Sequence, residues 1–131
     1  MRFNSQICTT RDQSERLLAL GLKKDTADMW RYKDAYGERL SPVQEIWDEE
    51  AYLEYGTPAW SLHRLIEMMP LDVVPEGGFD NIFTLKKGYP SGYSVEYDGF
   101  SYYHKENIYD TLIEGIEHLI KEGYFNKEYL V

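Results

Sequence analysis

The sequence predicts an α+β domain in which three helices pack on a small antiparallel sheet of three or four strands. Three features carry that expectation. A capped helix opens the chain at about 11–20, an amphipathic run closes it at about 108–122, and an Asp-Gly turn joins two alternating runs over 93–104. At 131 residues the chain has a common single-domain size, and no linker, repeat or low-complexity tract divides 1–131, so one domain is expected.

The first helix is announced by Thr10-Arg11-Asp12-Gln13, the spacing of a capping box. Leu17 and Leu18, with Ser14 one turn earlier, give it an apolar stripe, and Gly21 suits a left-handed helix end. In residues 27–33 Trp30 and Tyr32 alternate with Met29 and Arg31, which predicts a strand. Asp34 to Pro42 reads as a loop, and Val43 to Tyr55 has no clean period, so the path of 34–56 stays undetermined.

Thr57-Pro58-Ala59-Trp60 predicts a second helix, with Thr57 as its N-cap and Pro58 in the first turn, where a missing N–H is harmless. Leu62, Leu65, Ile66 and Met69 form its apolar arc and Pro70 ends it. After a Gly-rich turn, Phe79 to Leu85 reads as a strand with Phe83 and Leu85 on one face. A two-residue Asp98-Gly99 turn then pairs Tyr97 with Phe100, Val95 with Tyr102 and Tyr93 with His104. One helix laid across that aromatic face would bury Tyr97, Phe100, Val95 and Tyr102. The closing helix has Ile108, Leu112, Ile113, Ile116, Leu119 and Ile120 on one side, Asn107 as its cap and Gly123 as its end. Gly115, at the edge of the apolar arc, is expected to let the helix lie close to a neighbour.

Charge narrows the functional classes. The net charge is −9, split as +3 over residues 1–24, −9 over 25–80 and −3 over 81–131. Nucleic-acid binding rests on Lys and Arg displacing counterions, so direct binding is disfavoured. The first 16 residues hold only Phe3 and Ile7 as strong hydrophobes besides Met1 and Cys8, and no apolar stretch approaches a membrane span. With a single cysteine, no intrachain disulfide is available. A cytoplasmic protein without a membrane segment is expected.

No phosphate-binding glycine loop, metal-ligand spacing or nucleophile–base pair stands out, so no catalytic residue, metal or cofactor is assigned. Cys8 reads as a small buried residue, His118 as a surface residue one turn from Glu114, and His104 as a core-edge residue of the hairpin. The tract Glu45, Asp48, Glu49, Glu50 and Glu54 lacks the alternating oxygens of a calcium loop. The candidate interaction surface is the set Trp60, His63, Arg64 and Glu67, opposite the leucines of the second helix, with Trp60–Arg64 stacking and a His63–Glu67 contact. The surplus of tyrosine points the same way, with Tyr89, Tyr93 and Tyr103 as the ones to look for at the surface.

The segments CTTRDQSERLLALGLKKDTADMW and TPAWSLHRLIEMMP, with the closing amphipathic helix, resemble a group of short proteins of Bacteroides-type gut bacteria. These often lie in prophage or other mobile-element regions. The resemblance implies a bacterial, cytoplasmic, accessory-gene setting, and it brings no activity and no functional residues. The leading expectation is a non-enzymatic module that binds a protein partner. Two alternatives stand beside it: an acidic DNA mimic that inhibits a DNA-binding protein, and an enzyme of unrecognised type that gathers His63 or His104 with carboxylates. Oligomeric state is left open.

Overall fold

The computed structural model describes residues 5–43, 56–75, 77–97 and 101–131, apart from the side chains of Ser101 and Tyr102. The fold is α+β, and the described residues form three α-helices and antiparallel strands that divide into two sheets. The helices are α1 (Arg11–Ala19), α2 (Leu62–Met68) and α3 (Ile108–Glu122). The chain forms two compact units, one of residues 1–65 with 129–131 and one of residues 66–128.

In the first unit, α1 starts as its sequence demands. The Thr10 hydroxyl accepts from the Gln13 amide and the Gln13 side chain accepts from the Thr10 amide, so two otherwise orphaned N–H groups are satisfied. Its stripe buries Ser14 and Leu17. Strands β1 (Met29–Asp34), β2 (Gly37–Pro42) and β3 (Thr57–Ala59) make a sheet in the order β2-β1-β3. Trp30 and Tyr32 share a face of β1 as alternation requires, their rings stacked with centroids 4.6 Å apart.

Two expectations for this unit are corrected. The segment 34–42 is mostly strand rather than loop: Asp34 pairs with Gly37 and Met29 with Pro42 across a tight turn at Ala35 and Tyr36. The Asp34 carboxylate accepts the Tyr36 amide at 2.7 Å and the Arg39 Nε–H at 3.1 Å, while Gly37 takes φ 121°, closed to a side chain. Asp at the first turn position and Gly at the fourth were legible preferences, masked by the polarity of the segment.

Thr57 and Pro58, in turn, do not start α2. They form β3 against β1, with Arg31 opposite Thr57 and Trp30 opposite Pro58. The missing N–H of Pro58 is tolerated at β3, an edge strand of this sheet among the described residues. Ser61 takes over the cap: its hydroxyl accepts from the Arg64 amide at 3.1 Å and donates to the Asp28 carboxylate, which also accepts the Ser61 amide at 2.8 Å.

The second unit holds the sheet β4-β5-β6-β7, from β4 (Asp72–Val73), β5 (Asn81–Lys87), β6 (Tyr93–Tyr97) and β7 (Ser101–Lys105). Along β5, Phe83 and Leu85 are half-buried while Ile82, Thr84 and Lys86 are exposed, as the alternation predicts. Helix α3 keeps its expected bounds. The Asn107 side chain accepts from the amides of Tyr109 and Asp110, and Gly123 closes the helix at φ 81°. It packs on β6 and β7 and buries Leu112, Ile113, Ile116 and Leu119.

The hairpin forms, but in another register. Tyr97 pairs with Ser101, Val95 with Tyr103 and Tyr93 with Lys105, so three residues rather than two separate the paired strand ends. Residues 98–100, which include the Asp-Gly turn and Phe100, lie outside the described residues, as does the Tyr102 side chain. A slip of one residue exchanges the faces of a strand. Here it brings Tyr103 beside Val95, where both come within 3.8 Å of a Cβ placed on Gly115, and it moves His104 opposite Ser94. The close approach expected at Gly115 is therefore present, with Met69 Cε at 3.3 Å from that Cβ position.

Candidate functional site

The sequence grouped Trp60, His63, Arg64 and Glu67 on one exposed helix face, and the structure separates them. Trp60 precedes α2 and is 0% exposed. Its amide donates to the Thr9 hydroxyl at 3.0 Å and its indole Nε1–H to the Thr26 hydroxyl at 3.0 Å, while its carbonyl accepts the Thr9 amide at 2.9 Å. Thr9 and Ser14, both fully buried, share a hydrogen bond at 2.8 Å. Trp60 is thus the centre of a satisfied polar core. It lies where it does because the strand β3 pulls the start of α2 two residues past it.

Arg64 is half-buried rather than stacked on Trp60. Its Nε–H donates to the Thr26 carbonyl at 2.7 Å and its guanidinium carbon lies 5.6 Å from the centre of the Tyr129 ring. Only His63 and Glu67 of the four are exposed. A surface built on Trp60 and Arg64 is therefore replaced by a network in which Trp60, and Arg64 of α2, are tied to Thr9, Ser14 of α1 and Thr26.

The chemistry-bearing side chains are held in similar ways. Cys8 is 0% exposed, and burial pushes its thiol above the ordinary value, against the charge of Arg31, whose Nη2 lies 3.6 Å from the sulfur. A thiol of this kind is a poor nucleophile. His104 donates from Nε2 to the Ser91 carbonyl at 2.7 Å. His118, expected at open surface, is half-buried with its ring 5.5 Å from that of Tyr103, while Glu114 pairs with Lys105 at 3.0 Å. Among the described residues, no three His, Cys, Asp or Glu side chains are disposed to hold a metal ion. The acidic tract from Glu45 to Glu54 lies outside the described residues.

Exposed apolar area concentrates elsewhere, at the β4–β5 hairpin of the second unit. Leu71 is 77% exposed, Val74 49%, Phe79 90% and Ile82 59%. Four large hydrophobes in twelve positions expose an apolar rim that a solvated hairpin does not need. It flanks β4, which is an edge strand of its sheet among the described residues. The sequence carried a faint signal: Leu71 follows Pro70, Val74 precedes Pro75, and Phe79 stands between Gly78 and Asp80. Apolar residues isolated among turn formers have no periodic neighbours with which to share a core face. Of the three tyrosines singled out by composition, Tyr89 is 96% exposed, and Tyr93 and Tyr103 are half-buried.

No helix among the described residues is long and apolar enough to cross a membrane. Compared with protein-family models, curated proteins and solved structures, the chain matches none.

Proposed function

We propose that the protein is a non-enzymatic interaction module, acting in the bacterial cytoplasm in the mobile-element setting implied by the resemblance, and that the β4–β5 hairpin is its docking surface. The occupant is an extended segment of another protein that adds a strand at β4 and lays alternate apolar side chains against Leu71, Val74, Phe79 and Ile82. The exposure of those four side chains beside an open sheet edge carries the reading. The burial of Cys8 and the bond of His104 to Ser91 support a non-enzymatic role.

Mimicry of DNA is less favoured. Asp34, Glu38, Glu96, Glu114 and Glu117 each sit against Lys or Arg, so these carboxylates do not present a bare anionic row.

The test is selection of binders from a displayed library of random linear peptides. Enriched sequences should carry large apolar residues at alternate positions, and Phe79→Asp with Ile82→Asp should abolish their binding while the thermal midpoint is kept. Failure to enrich any peptide, or binding that survives the double substitution, refutes the proposal. Dimerisation of the protein itself, lost in the same variant, would show a homotypic surface and refute the heterologous partner.

A further inference from the structure

The first unit holds a second feature, independent of the hairpin. Strand alternation places Arg31 and Lys33 on one face of β1, opposite Thr57 on β3 and Glu38 on β2 respectively. Arg11, the first residue of α1, reaches this face: it donates from Nη1 to the Thr57 hydroxyl at 3.3 Å, and its Nη2 lies 3.4 Å from Glu38 Oε1. Arg31 Nη1 approaches the same carboxylate oxygen at 3.6 Å. Between them opens a cleft of about 490 Å³, lined by Arg11, Tyr32, Lys33 and Glu38.

Among the described residues the charges at this cleft do not balance. Of its described lining residues Arg11 and Lys33 are cations and Glu38 the one carboxylate, and Arg31, beside the lining, approaches that carboxylate as well. Both guanidinium contacts to Glu38 are longer than the roughly 2.7–2.9 Å of a strong charge-assisted bond, so the carboxylate is shared rather than tightly clamped. Arg31 is anchored from behind, donating from Nε and Nη2 to the Thr9 carbonyl at 3.2 and 2.7 Å, with 16% of its side chain exposed. That anchoring holds one guanidinium in place before any ligand arrives. In a chain of net charge −9, these described side chains, Arg31 included, carry a local excess of two positive charges. Screening within about 8 Å at physiological salt lets a small ligand feel the cleft rather than the whole molecule.

We propose that this cleft binds a small dianionic oxyanion, a phosphate or a dicarboxylate, held by Arg11, Arg31 and Lys33 with Glu38 as the group it displaces. Guanidinium forks suit planar or tetrahedral oxygen pairs, and a dianion neutralises the excess that Glu38 leaves.

The experiment uses the full chain, isotopically labelled for amide spectroscopy, at about pH 8, where phosphate is a dianion. It is titrated with sodium phosphate and, separately, with sodium succinate, against sodium chloride at equal ionic strength. Saturable movement of the amides of Arg11, Arg31, Tyr32, Lys33 and Glu38 by either dianion, without chloride doing the same, supports the site. Phosphate acting alone identifies a phosphoryl ligand, and succinate acting identifies a carboxylate ligand. Arg11→Gln with Lys33→Gln should weaken binding about tenfold or more. Glu38→Gln should strengthen it, whereas Glu117→Gln, an equal charge change in the second unit, should leave it unaltered. Shifts that are linear and shared with chloride, or that Glu117→Gln enhances as much as Glu38→Gln, overturn the proposal.

Discussion

The indole N–H of Trp60 donates to the hydroxyl of Thr26 at 3.0 Å, and the same hydroxyl donates to the Lys23 carbonyl at 2.7 Å. Both side chains are buried, and the Thr26 hydroxyl both accepts and donates. Trp60→Phe removes the donor and part of the ring volume, with an expected loss of about 1–3 kcal/mol. Thr26→Val strands the indole N–H and should lose a similar amount. The double variant should fall short of the sum, because both single changes break one bond. Denaturant midpoints of the four proteins measure this, and full additivity would show that the bond contributes nothing.

Cys8 and Tyr97 predict weakening in alkali. Burial raises the Cys8 thiol, and burial followed by the Asp72 charge raises the Tyr97 phenol, whose hydroxyl donates to the Pro70 carbonyl at 2.7 Å. In each case the folded chain favours the neutral form more than the unfolded chain does. The resulting stability is complete below the unfolded pKa and is lost as pH rises towards the folded one. Stability should therefore fall above about pH 8.5 for Cys8 and above about pH 10 for Tyr97. Cys8→Ala should flatten the first part of the decline, and a thiol reagent should label Cys8 only on unfolding. Rapid labelling of the native protein would contradict its burial.

Two glycines should respond differently to alanine. A Cβ on Gly115 meets the flexible end of Met69 at 3.3 Å, which can yield, and helix propensity gains about 1 kcal/mol, so Gly115→Ala should be nearly neutral. A Cβ on Gly88 would lie 2.2 Å from His104 Nε2 and 2.7 Å from the Ser91 carbonyl oxygen. Gly88→Ala must break the His104–Ser91 bond and move backbone, with an expected loss of about 1–3 kcal/mol. Thermal midpoints of the two variants should separate clearly.

The turn between β1 and β2 gives the fourth prediction. At φ 121°, Gly37→Ala is strained and should destabilise by about 1–2 kcal/mol. The Tyr36 amide, with Arg39, holds the Asp34 carboxyl below its ordinary value. Its contribution is present above the usual carboxylate range and is lost as pH falls through the lowered value. Asp34→Asn should remove that part of the acid dependence: thermal midpoints of the variant should lie slightly below those of the parent at neutral pH and converge with them in acid.

The elements most legible in the sequence were those specified by neighbours. The Thr10–Gln13 box, the Asn107 cap, the Gly123 stop and the alternation of Trp30 with Tyr32 depend on spacings of one to four residues. The structure keeps each of them. The candidate surface was not legible in this way, because the role of Trp60 depends on Thr9 and Thr26, 51 and 34 residues away. A helix wheel started at Thr57 puts Trp60 outside. Pairing of β3 with β1 moves the helix start and puts it inside.

Local chemistry, then, determined the capped start of α1, both ends of α3 and the alternation along β1 and β5, since caps and periodicity act over one or two turns of chain. Long-range pairing decided the register of β6 on β7, the recruitment of Thr57–Ala59 into a sheet and the face on which each aromatic lies. A one-residue slip costs nothing in local propensity yet exchanges buried for exposed side chains, so only closure of the core could choose. The same closure buried Trp60, left Phe79 and Ile82 in water, and brought Arg11 to Glu38 across 27 residues of chain.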